Sequence, residues 1–413
     1  ISTNSPFVNA SGNDFSLSSS SPALGSGLAS TVFEGETISA PTADITGVAN
    51  SRPMPTGSSP DMGAYESLLS ERVTRFYVAT TGSNSQTGTV DAPFLTIQHA
   101  VNNVISGDTI IVNPGTYVEN VVLQEDIIVT LSSLYLTTND NAYAGTTIID
   151  GGGDGPTIYV NTWSGSSNAV LKLSGLTLTG GATDDDIDLD PGFFPASVGG
   201  GLYVVSSKSI ELDNVIIKDN DANGSNTAGG AFIYETDVAV FKNSIIHTNE
   251  SESVGGVDIW NAKKVEFVNT LFHSNSSENG ESVRINGTDT LYIVNSTIAN
   301  NTSEIYGNTG LYANMNGNSD SLLIVNSVIS QNKYFDDNAD DYIVGENNQI
   351  SIGSGRVVYL NNYSDPEFSE GETKIKRSSG NILSTKNPFA EMVSDNYALS
   401  NFTDAIGNGI ASV

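Results

Sequence analysis

The sequence has no cysteine, three histidines, and only 16 Lys or Arg residues against 47 Asp or Glu residues. Without cysteine, neither a disulfide framework nor a thiolate zinc site can form, and three histidines leave little for a histidine-based metal centre. The net charge of −31 gives a surface that repels nucleic acid and anionic membranes. No apolar run reaches the roughly 18 residues that membrane insertion by a helix needs.

An internal repeat fills the middle of the chain. Five segments align without gaps, and each carries two asparagines six residues apart, at steps of 29, 26, 26 and 31 residues. The pairs are Asn214/Asn220, Asn243/Asn249, Asn269/Asn275, Asn295/Asn301 and Asn326/Asn332. A period in the high twenties, in a chain rich in Gly, Ser, Asn and Thr, is typical of a solenoid coil of about three short strands.

Apolar residues alternate around these asparagines with a period of two, which indicates strands with one buried face. The predicted inward columns are headed by Ile210, Leu212 and Ile217 in the first segment, and by Leu202 and Val204 after a glycine turn. Identical residues that recur in each coil stack into ladders. We therefore expect buried asparagines at the corners to bond from coil to coil.

The stretch Phe76–Leu123 differs from the coils. It reads "FYVATTGSNSQTGTVDAPFLTIQHAVNNVISGDTIIVNPGTYVENVVL" and predicts a short helix over Thr96–Val104. It resembles the opening cap of secreted bacterial proteins of the pectate-lyase-like superfamily. The resemblance implies an all-β fold, a right-handed parallel β-helix with three strands per coil, and a helix that covers its open end. The superfamily includes lyases, hydrolases, epimerases and non-enzymatic surface proteins, so no reaction is implied.

The two ends of the chain repeat each other. Residues 1–31 and 383–413 align without a gap, and 11 of the 31 positions are identical. The first segment continues to "SRPMPTGSSPDMGAYE", which resembles the closing segment of the same β-helix proteins. Either the natural protein is a tandem array of such repeats, or neighbouring copies associate head to tail.

These features predict five regions. Residues 1–67 are the closing segment of a preceding β-helix, 68–75 a linker, 76–123 the N-terminal cap, 124–382 the coils, and 383–413 the start of the next closing segment. Copies of the same repeat are therefore the expected partners.

The outward positions of the strand after the glycine turn combine aromatic, acidic and basic residues. They are Tyr203, Phe232, Tyr234, Asp258, Trp260, Arg284 and Tyr312. Aromatic faces stack on sugar rings, and Arg and Asp bond hydroxyls or carboxylates, which predicts a binding face for a glycan or another surface protein. The alternative is that the loops at 182–198 and 221–228 fold over this sheet and bury the aromatics.

Other candidate groups are sparser. Lys218 and His247 lie in one outward column and form a possible base and cation for a polysaccharide lyase. Glu211, Asp213 and Glu266 are outward carboxylates that a glycoside hydrolase needs in convergent pairs. Ordinary solvated side chains are the alternative for both sets, and the lack of a dense Lys/Arg cluster on so acidic a chain favours it.

An acidic run, "DDDIDLDPG", supplies five alternating carboxylates in a predicted loop. They are Asp184, Asp185, Asp186, Asp188 and Asp190. Calcium prefers such oxygen ligands, although the EF-hand pattern is missing, and a solvated acidic loop is the alternative. The sequence requires no cofactor.

Together these features favour a non-enzymatic, extracellular structural or adhesive repeat of a bacterial surface protein, with glycan binding on the aromatic face. The rival hypothesis is a polysaccharide lyase or glycoside hydrolase on the same fold. No nucleic acid and no membrane insertion are expected.

Overall fold

Short β-strands make up most of the chain in the computed structural model. It describes residues 7–12, 14–18, 21, 23–24, 26–33, 36–45, 59–66, 74–123, 126–161, 168–183, 199–224, 227–304, 310–317, 320–336, 341–344, 349–354, 356–360, 362–364, 369–370, 374–379, 382–383, 389–391 and 396–399. The chain divides into two units, Ile1–Ile111 and Val112–Val413.

The second unit is a parallel β-helix with three sheets, as the sequence predicts. Its large sheet contains Val121–Leu123, Ile128–Ser133, Ile158–Asn161, Val170–Ser174, Leu202–Asp213, Ala231–Lys242, Val257–Trp260, Lys264–Val268, Val283–Thr288, Thr290–Val294, Leu311–Met315, Ser321–Val325, Ile350–Ser354, Arg356–Leu360, Ser369–Glu370 and Lys374–Ser379. Each coil gives this sheet two strand segments. In the long strands they meet at a residue with positive φ, at Ser206 and Glu235.

A ten-stranded sheet forms the next side of the stack. Its strands are Gly115–Val118, Thr147–Asp150, Thr177–Thr179, Ile216–Lys218, Ile245–His247, Leu271–His273, Thr297–Ala299, Val328–Ser330, Tyr363–Ser364 and Ile382–Leu383. Each coil contributes one strand to this sheet, so the described residues form ten levels.

A seven-stranded sheet of very short strands completes the coil. Its strands are Ala182–Thr183, Asp221–Ala222, Glu250–Ser251, Ser276–Ser277, Thr302–Ser303, Lys333–Asp336 and Asp341–Val344. Pairing is parallel except between the last two, which form a hairpin. Two short helices, Tyr135–Thr138 and the 3-10 helix Asn141–Gly145, interrupt the early coils.

The predicted inward columns form the core. The register places Leu212 beside Phe241, and Phe241 beside Phe267, one coil apart. The members of all five columns in the coils from Leu202 to Ile329 are at most 1% exposed. This confirms the period-two prediction, because a shift of one residue would have turned every inward side chain outward.

The second asparagine of each repeat forms a continuous buried ladder. Amide Nδ2 atoms donate to the Oδ1 atom of the next coil at 2.9 Å from Asn220 to Asn249, 2.9 Å from Asn249 to Asn275 and 3.0 Å from Asn275 to Asn301. The ladder continues at 2.8 Å to Asn332. It ends on Gln349, whose Oε1 accepts from Asn332 at 2.7 Å.

Each ladder amide uses all of its bonding capacity. The Oδ1 atom of Asn275 accepts from both the backbone N–H and the side chain of Asn249, and its Nδ2 atom donates to Asn301 and to the carbonyl of Ile246. An amide has two donors and an acceptor oxygen with two lone pairs, so only asparagine or a close equivalent fills this site fully.

The prediction of burial is wrong for the first asparagine of each pair. Asn243, Asn269 and Asn295 are exposed and adopt left-handed φ angles of 50°, 52° and 50°. Asparagine tolerates this conformation better than most residues, so this column turns the chain. The exposed side chains still bond from coil to coil, since the Asn269 amide donates to Asn243 at 2.8 Å. Buried hydroxyls in the following position add further coil-to-coil bonds, such as Ser296 accepting from the N–H of Thr270.

The first unit contains the predicted helix. Helix Ile97–Asn103 begins at Thr96, whose hydroxyl accepts from the N–H of His99 at 3.2 Å, and Ile97, Ala100 and Val101 are its buried face. The His99 ring meets Phe94 edge-on at 4.7 Å, and burial lowers the pKa of His99. This packing agrees with a structural rather than a chemical role for His99.

The other elements of the first unit are short. They are the strands Phe7–Asn9, Asp14–Leu17, Ser30–Phe33, Glu36–Ser39, Arg75–Val78 and Asp108–Val112, the last reaching the boundary between the units, and the 3-10 helix Ala10–Gly12. The strands Phe389–Glu391 and Asn396–Leu399 close the described part of the second unit. Within the described residues, no helix has the length and apolar character to cross a membrane.

Replacing Asn275 with alanine tests the ladder. The change removes one partner each from the backbone N–H and side-chain amide of Asn249, from the oxygen of Asn301 and from the carbonyl of Ile246. We therefore expect a loss of about 3 kcal/mol in the free energy of unfolding, measured by urea denaturation. Asn269→Gly is the matched control, because glycine accepts the positive φ of that exposed position. Equal losses in both variants would contradict a dominant role for the buried ladder.

Candidate functional site

The register of the large sheet brings the predicted outward residues into two columns. Direct neighbours in the first column are Tyr159, Tyr203, Phe232, Asp258, Arg284 and Tyr312. Direct neighbours in the second are Val205, Tyr234, Trp260, Asn286 and Asn314. All seven predicted binding residues therefore lie on one face of the β-helix, within five consecutive coils.

The early half of the first column is covered. Tyr159 stacks on Tyr203 with ring centroids 5.2 Å apart and an interplanar angle of 7°, and Phe232 follows at 5.8 Å. Tyr203 is 8% exposed and Phe232 4%. Buried Ala228 and Val254, which pair with each other in a parallel bridge, belong to the same cluster.

This packing agrees with the alternative that chain segments fold over the sheet, since Ala228 ends the predicted loop 221–228. The other predicted covering loop falls largely in 184–198, which lies outside the described residues. Tyr203 and Phe232 are therefore packed within this face, and the later coils are its more exposed part.

A buried ion pair occupies the centre of the first column. Asp258 is fully buried, and it accepts from Arg284 through Nε at 3.0 Å and Nη2 at 2.6 Å. The Nη2 atom also donates to the hydroxyl of Ser253 at 3.3 Å. Two parallel bonds between a guanidinium and a carboxylate fix both groups in one plane.

Burial and pairing have opposing effects on the pKa of each charged group. Burial raises the pKa of Asp258, and the charge and hydrogen bonds of Arg284 only partly oppose this, so the net shift is upward. Burial lowers the pKa of Arg284. The charge and hydrogen bonds of Asp258 raise it by more, with a smaller contribution from Glu281, so the net shift is upward. Each charge thus depends on the other to remain ionised away from water.

The later half of this face is partly open to solvent. The Arg284 guanidinium lies over the Trp260 ring at 5.5 Å, and its side chain keeps 17% exposure. Tyr234, Trp260 and Tyr312 are each half-buried. Asn314 donates to the Oδ1 atom of Asn286 at 2.9 Å beside them. We call Tyr234, Trp260, Arg284, Asn286 and Tyr312 the aromatic platform.

The platform retains hydrogen-bonding capacity. A guanidinium has five N–H donors, and Asp258 and Ser253 engage Nε and Nη2. Among the described residues, none accepts from the Nη1 atom of Arg284. The arrangement therefore offers flat aromatic surfaces with directed donors at their edge.

The predicted catalytic column contains ordinary pairings. Lys218 bridges to Asp219 at 2.9 Å, next to His247 in the register. The rings of His247 and His273 stack at 4.8 Å with an interplanar angle of 3°, and their Nδ1 atoms bond Thr248 and Ser274. A lysine held by a carboxylate is a poor candidate for a free base.

The predicted outward carboxylates are likewise engaged. Glu211 bridges to Lys172 at 3.2 Å, and Glu266 to Lys264 at 2.7 Å. Asp213 accepts from the Asn243 amide at 2.8 Å. These pairs lie on exposed or half-exposed strand positions and contribute little to stability.

The acidic run Asp184, Asp185, Asp186, Asp188 and Asp190 lies outside the described residues, so calcium binding there stays a prediction. In the part of the chain that the structure describes, no group of three or more acidic or histidine side chains is placed to hold a metal ion.

Sequence reasoning missed three members of this face. Tyr159 heads the aromatic column, and the alternating segment "TIYVN" would have placed it there by the same period-two argument. Ser253 and Glu281 lie in turns of variable length, where no periodic signal exists.

Comparison with known proteins adds little about activity. A family described as a protein of unknown function (DUF1565) matches residues 80–184. No curated protein matches the sequence. Three solved structures are similar to this chain. "Crystal structure of pectate lyase Pel9A" has 12% identity and a TM-score of 0.37, with 81% of this chain and 91% of that chain covered.

The other two likenesses are as distant. "Rhamnogalacturonan lyase" has 14% identity and a TM-score of 0.35, covering 77% of this chain and 91% of that one. "The complex structure of XylC with xylose" has 12% identity and a TM-score of 0.31, covering 70% and 76%. At these values the likenesses carry no argument about a reaction.

Replacing Arg284 with methionine tests the buried ion pair. The change leaves the Asp258 carboxylate buried without its partner, so we expect the free energy of unfolding to fall by about 4 kcal/mol at neutral pH. Replacing both groups, as D258L/R284M, should restore most of the loss, because two apolar side chains remove the uncompensated charge. Additive losses in a double-mutant cycle would contradict direct coupling.

The stability of the R284M variant should depend on pH. In R284M, burial still raises the pKa of Asp258 and the opposing guanidinium is gone. A carboxyl with a raised pKa in the folded state binds protons more tightly there than in the unfolded chain, so stability falls as the pH rises through the folded value. The deficit of R284M against wild type should shrink on acidification, as measured by urea denaturation at several pH values.

Proposed function

We propose that the chain is an extracellular structural and adhesive β-helix segment that binds a neutral glycan on the aromatic platform. The observation that carries this proposal is the half-open face where Trp260 and Tyr312 flank the Arg284 guanidinium. Its floor is rigid, because Asp258 holds the guanidinium and the packed rings of Tyr203 and Phe232 continue the column.

A sugar ring suits the platform for geometric reasons. Tyr234 and Trp260 are register neighbours on adjacent coils, which places them about 4.8 Å apart along the stack. Aromatic faces accept the apolar face of a pyranose, and the edges of the platform carry the Nη1 donors and the Asn286 and Asn314 amides for hydroxyl groups. Successive coils thus present repeated contacts to a repeating polymer.

The charge of the chain favours a neutral ligand. The net charge is −31, which disfavours association with uronate or sulfate polymers. The one guanidinium on the platform is already neutralised by Asp258. Hydroxyl groups therefore match the remaining donors better than a ligand carboxylate does.

The preference for adhesion over catalysis rests on the ion pairs of the candidate catalytic residues. The candidate base Lys218 and the carboxylates Glu211 and Glu266 are all held in ion pairs. Tandem copies of such a segment, implied by the repeat between residues 1–31 and 383–413, would make a long surface protein with one platform per copy.

Retention on a panel of neutral and acidic glycans tests the proposal. We expect binding to a neutral polymer, and Trp260→Ala should weaken it by about 2 kcal/mol, or roughly thirtyfold in Kd, because the aromatic anchor is lost. Tyr292→Ala is the matched control, since Tyr292 is a half-buried outward tyrosine of the other strand segment, beneath Lys264.

Two results would overturn the proposal. Unchanged retention of Trp260→Ala would remove the platform as the binding face. Unsaturated or reducing products from an acidic polymer would instead favour a polysaccharide lyase or glycoside hydrolase.

A further inference from the structure

The register of the large sheet places the hydrogen-bond donors of the aromatic platform between its aromatic residues. Arg284 and Asn286 lie on the outward face of one strand, two residues apart, so their Cα atoms are about 7 Å from each other. Trp260 is the register neighbour of Asn286 on the preceding coil, and Tyr312 is that of Arg284 on the following coil. A ligand group that reaches the two donors therefore has an aromatic side chain on either side of it.

The acceptor atoms of this face are already engaged inside the protein. Both carboxylate oxygens of Asp258 accept from Arg284, and Asp258 is fully buried. The Ser253 hydroxyl accepts from the same guanidinium. The Oδ1 atom of Asn286 accepts from the Asn314 amide at 2.9 Å. A ligand therefore finds few acceptors here for protons of its own.

The donors of the platform, in contrast, are open. Among the described residues, none accepts from the Nη1 atom of Arg284 or the Nδ2 atom of Asn286, and none bonds the Tyr312 hydroxyl. These three groups do not belong to the buried polar atoms without a partner in that part of the chain, so each reaches solvent. Nη1 and Nδ2 carry two N–H bonds each, which leaves this face with an excess of donors.

Carboxylates at the margin of the platform disfavour an anionic acceptor on the ligand. Glu235 is exposed and directly follows Tyr234 in the chain. Burial lowers the pKa of Arg284 and the Asp258 charge raises it, and the Glu281 charge adds to this rise, which places a second carboxylate close to the guanidinium. With a net charge of −31 around them, these groups repel carboxylate and sulfate. The matching acceptor is therefore neutral.

An amide carbonyl is a neutral group that fits an excess of donors. Its oxygen accepts two hydrogen bonds and brings no proton, whereas each hydroxyl brings a proton that this face bonds poorly. A polar group left unpaired on desolvation weakens binding. An acetamido group that replaces a sugar hydroxyl exchanges one O–H for one N–H, and it adds a carbonyl oxygen and a methyl group. The methyl group is apolar and packs on an aromatic ring.

We propose that the aromatic platform selects N-acetylated sugars, whose acetamido carbonyl accepts from Nη1 of Arg284 and Nδ2 of Asn286. The acetamido methyl then packs on the aromatic side chains that flank these donors. The Trp260 ring lies 5.5 Å from the guanidinium, so a group only a few atoms long contacts both. The proposal rests on the glycan binding proposed above and names the class of sugar that is bound.

Three β-1,4-linked oligosaccharides of equal length, which differ in one substituent of each ring, test this selection. The substituent is a hydroxyl in the glucose form, an ammonium in the glucosamine form and an acetamido group in the N-acetylglucosamine form. We expect the wild type to bind the N-acetylglucosamine form about tenfold more tightly than the glucose form, because the carbonyl gains a hydrogen bond from a charged donor. Isothermal titration calorimetry gives both Kd values.

Asn286→Asp removes the amide donors but keeps the shape of the side chain and an oxygen for the Asn314 amide. The preference for the N-acetylglucosamine form should fall from about tenfold to about one, measured as a ratio of Kd values that partial unfolding does not change. Asn300→Asp is the matched control. Asn300 is also a half-buried asparagine, but it follows the ten-stranded sheet, where its amide donates to the Ser274 hydroxyl at 3.4 Å. This variant adds the same charge and should keep the preference.

Saturation-transfer difference NMR on the wild type gives a check that needs no variant. The acetamido methyl protons should receive more saturation than the protons of the sugar ring, because they pack on the aromatic side chains. Stronger saturation of the ring protons would contradict the proposed contact.

The outcomes separate this selection from glycan binding itself. A wild type that prefers the glucose form, or an Asn286→Asp variant with the full preference, overturns the selection and leaves glycan binding standing. Binding led by the glucosamine form and lost at high salt also overturns it, because attraction to an acidic chain explains that result. Retention of another neutral glycan without any of these three does the same, whereas failure of every glycan removes the proposed function.

Discussion

A buried amide must find a partner for each of its donors and acceptors, and this constraint governs the β-helix from Asn220 to Gln349. Asn249, Asn275 and Asn301 meet it by bonding to one another across coils. They can do so only if successive coils stand in register at this corner. The strand segments on either side are then aligned too, and the inward columns of Phe241 and Phe267 follow from that alignment.

The same alignment creates the outward face. Asp258 and Arg284 are distant in sequence but occupy one strand position in adjacent coils, so their side chains meet without any dedicated element. Ser253, in the turn before the Asp258 strand, accepts from the same guanidinium. A charge there is tolerated only because the register supplies its partner one level away.

The sequence predicts the parts of this fold that are periodic. The position of Ile217 and Ile246 in the repeat is enough to predict their burial, and Thr96 marks the start of the helix. Exposure of the outward columns is not periodic, because it depends on which turns fold back over the sheet. The alternating pattern therefore placed Phe232 on the correct face but not its burial beneath Ala228 and Val254. The two asparagine columns look alike in sequence, yet only backbone geometry separates the turn residue Asn269 from the ladder residue Asn275.

The hydrogen bonds between coils all run along the axis of the stack, and this has a mechanical consequence. A pull along that axis loads all coil boundaries in series, and because each coil bonds only to its neighbours, the boundaries can open one at a time. Freeing the 26 residues between Asn249 and Asn275 releases up to roughly 90 Å of extended chain. The height removed from the stack is only about 4.8 Å. A β-helix of this kind can therefore lengthen greatly under tension by giving up single coils while the remaining ladder stays closed.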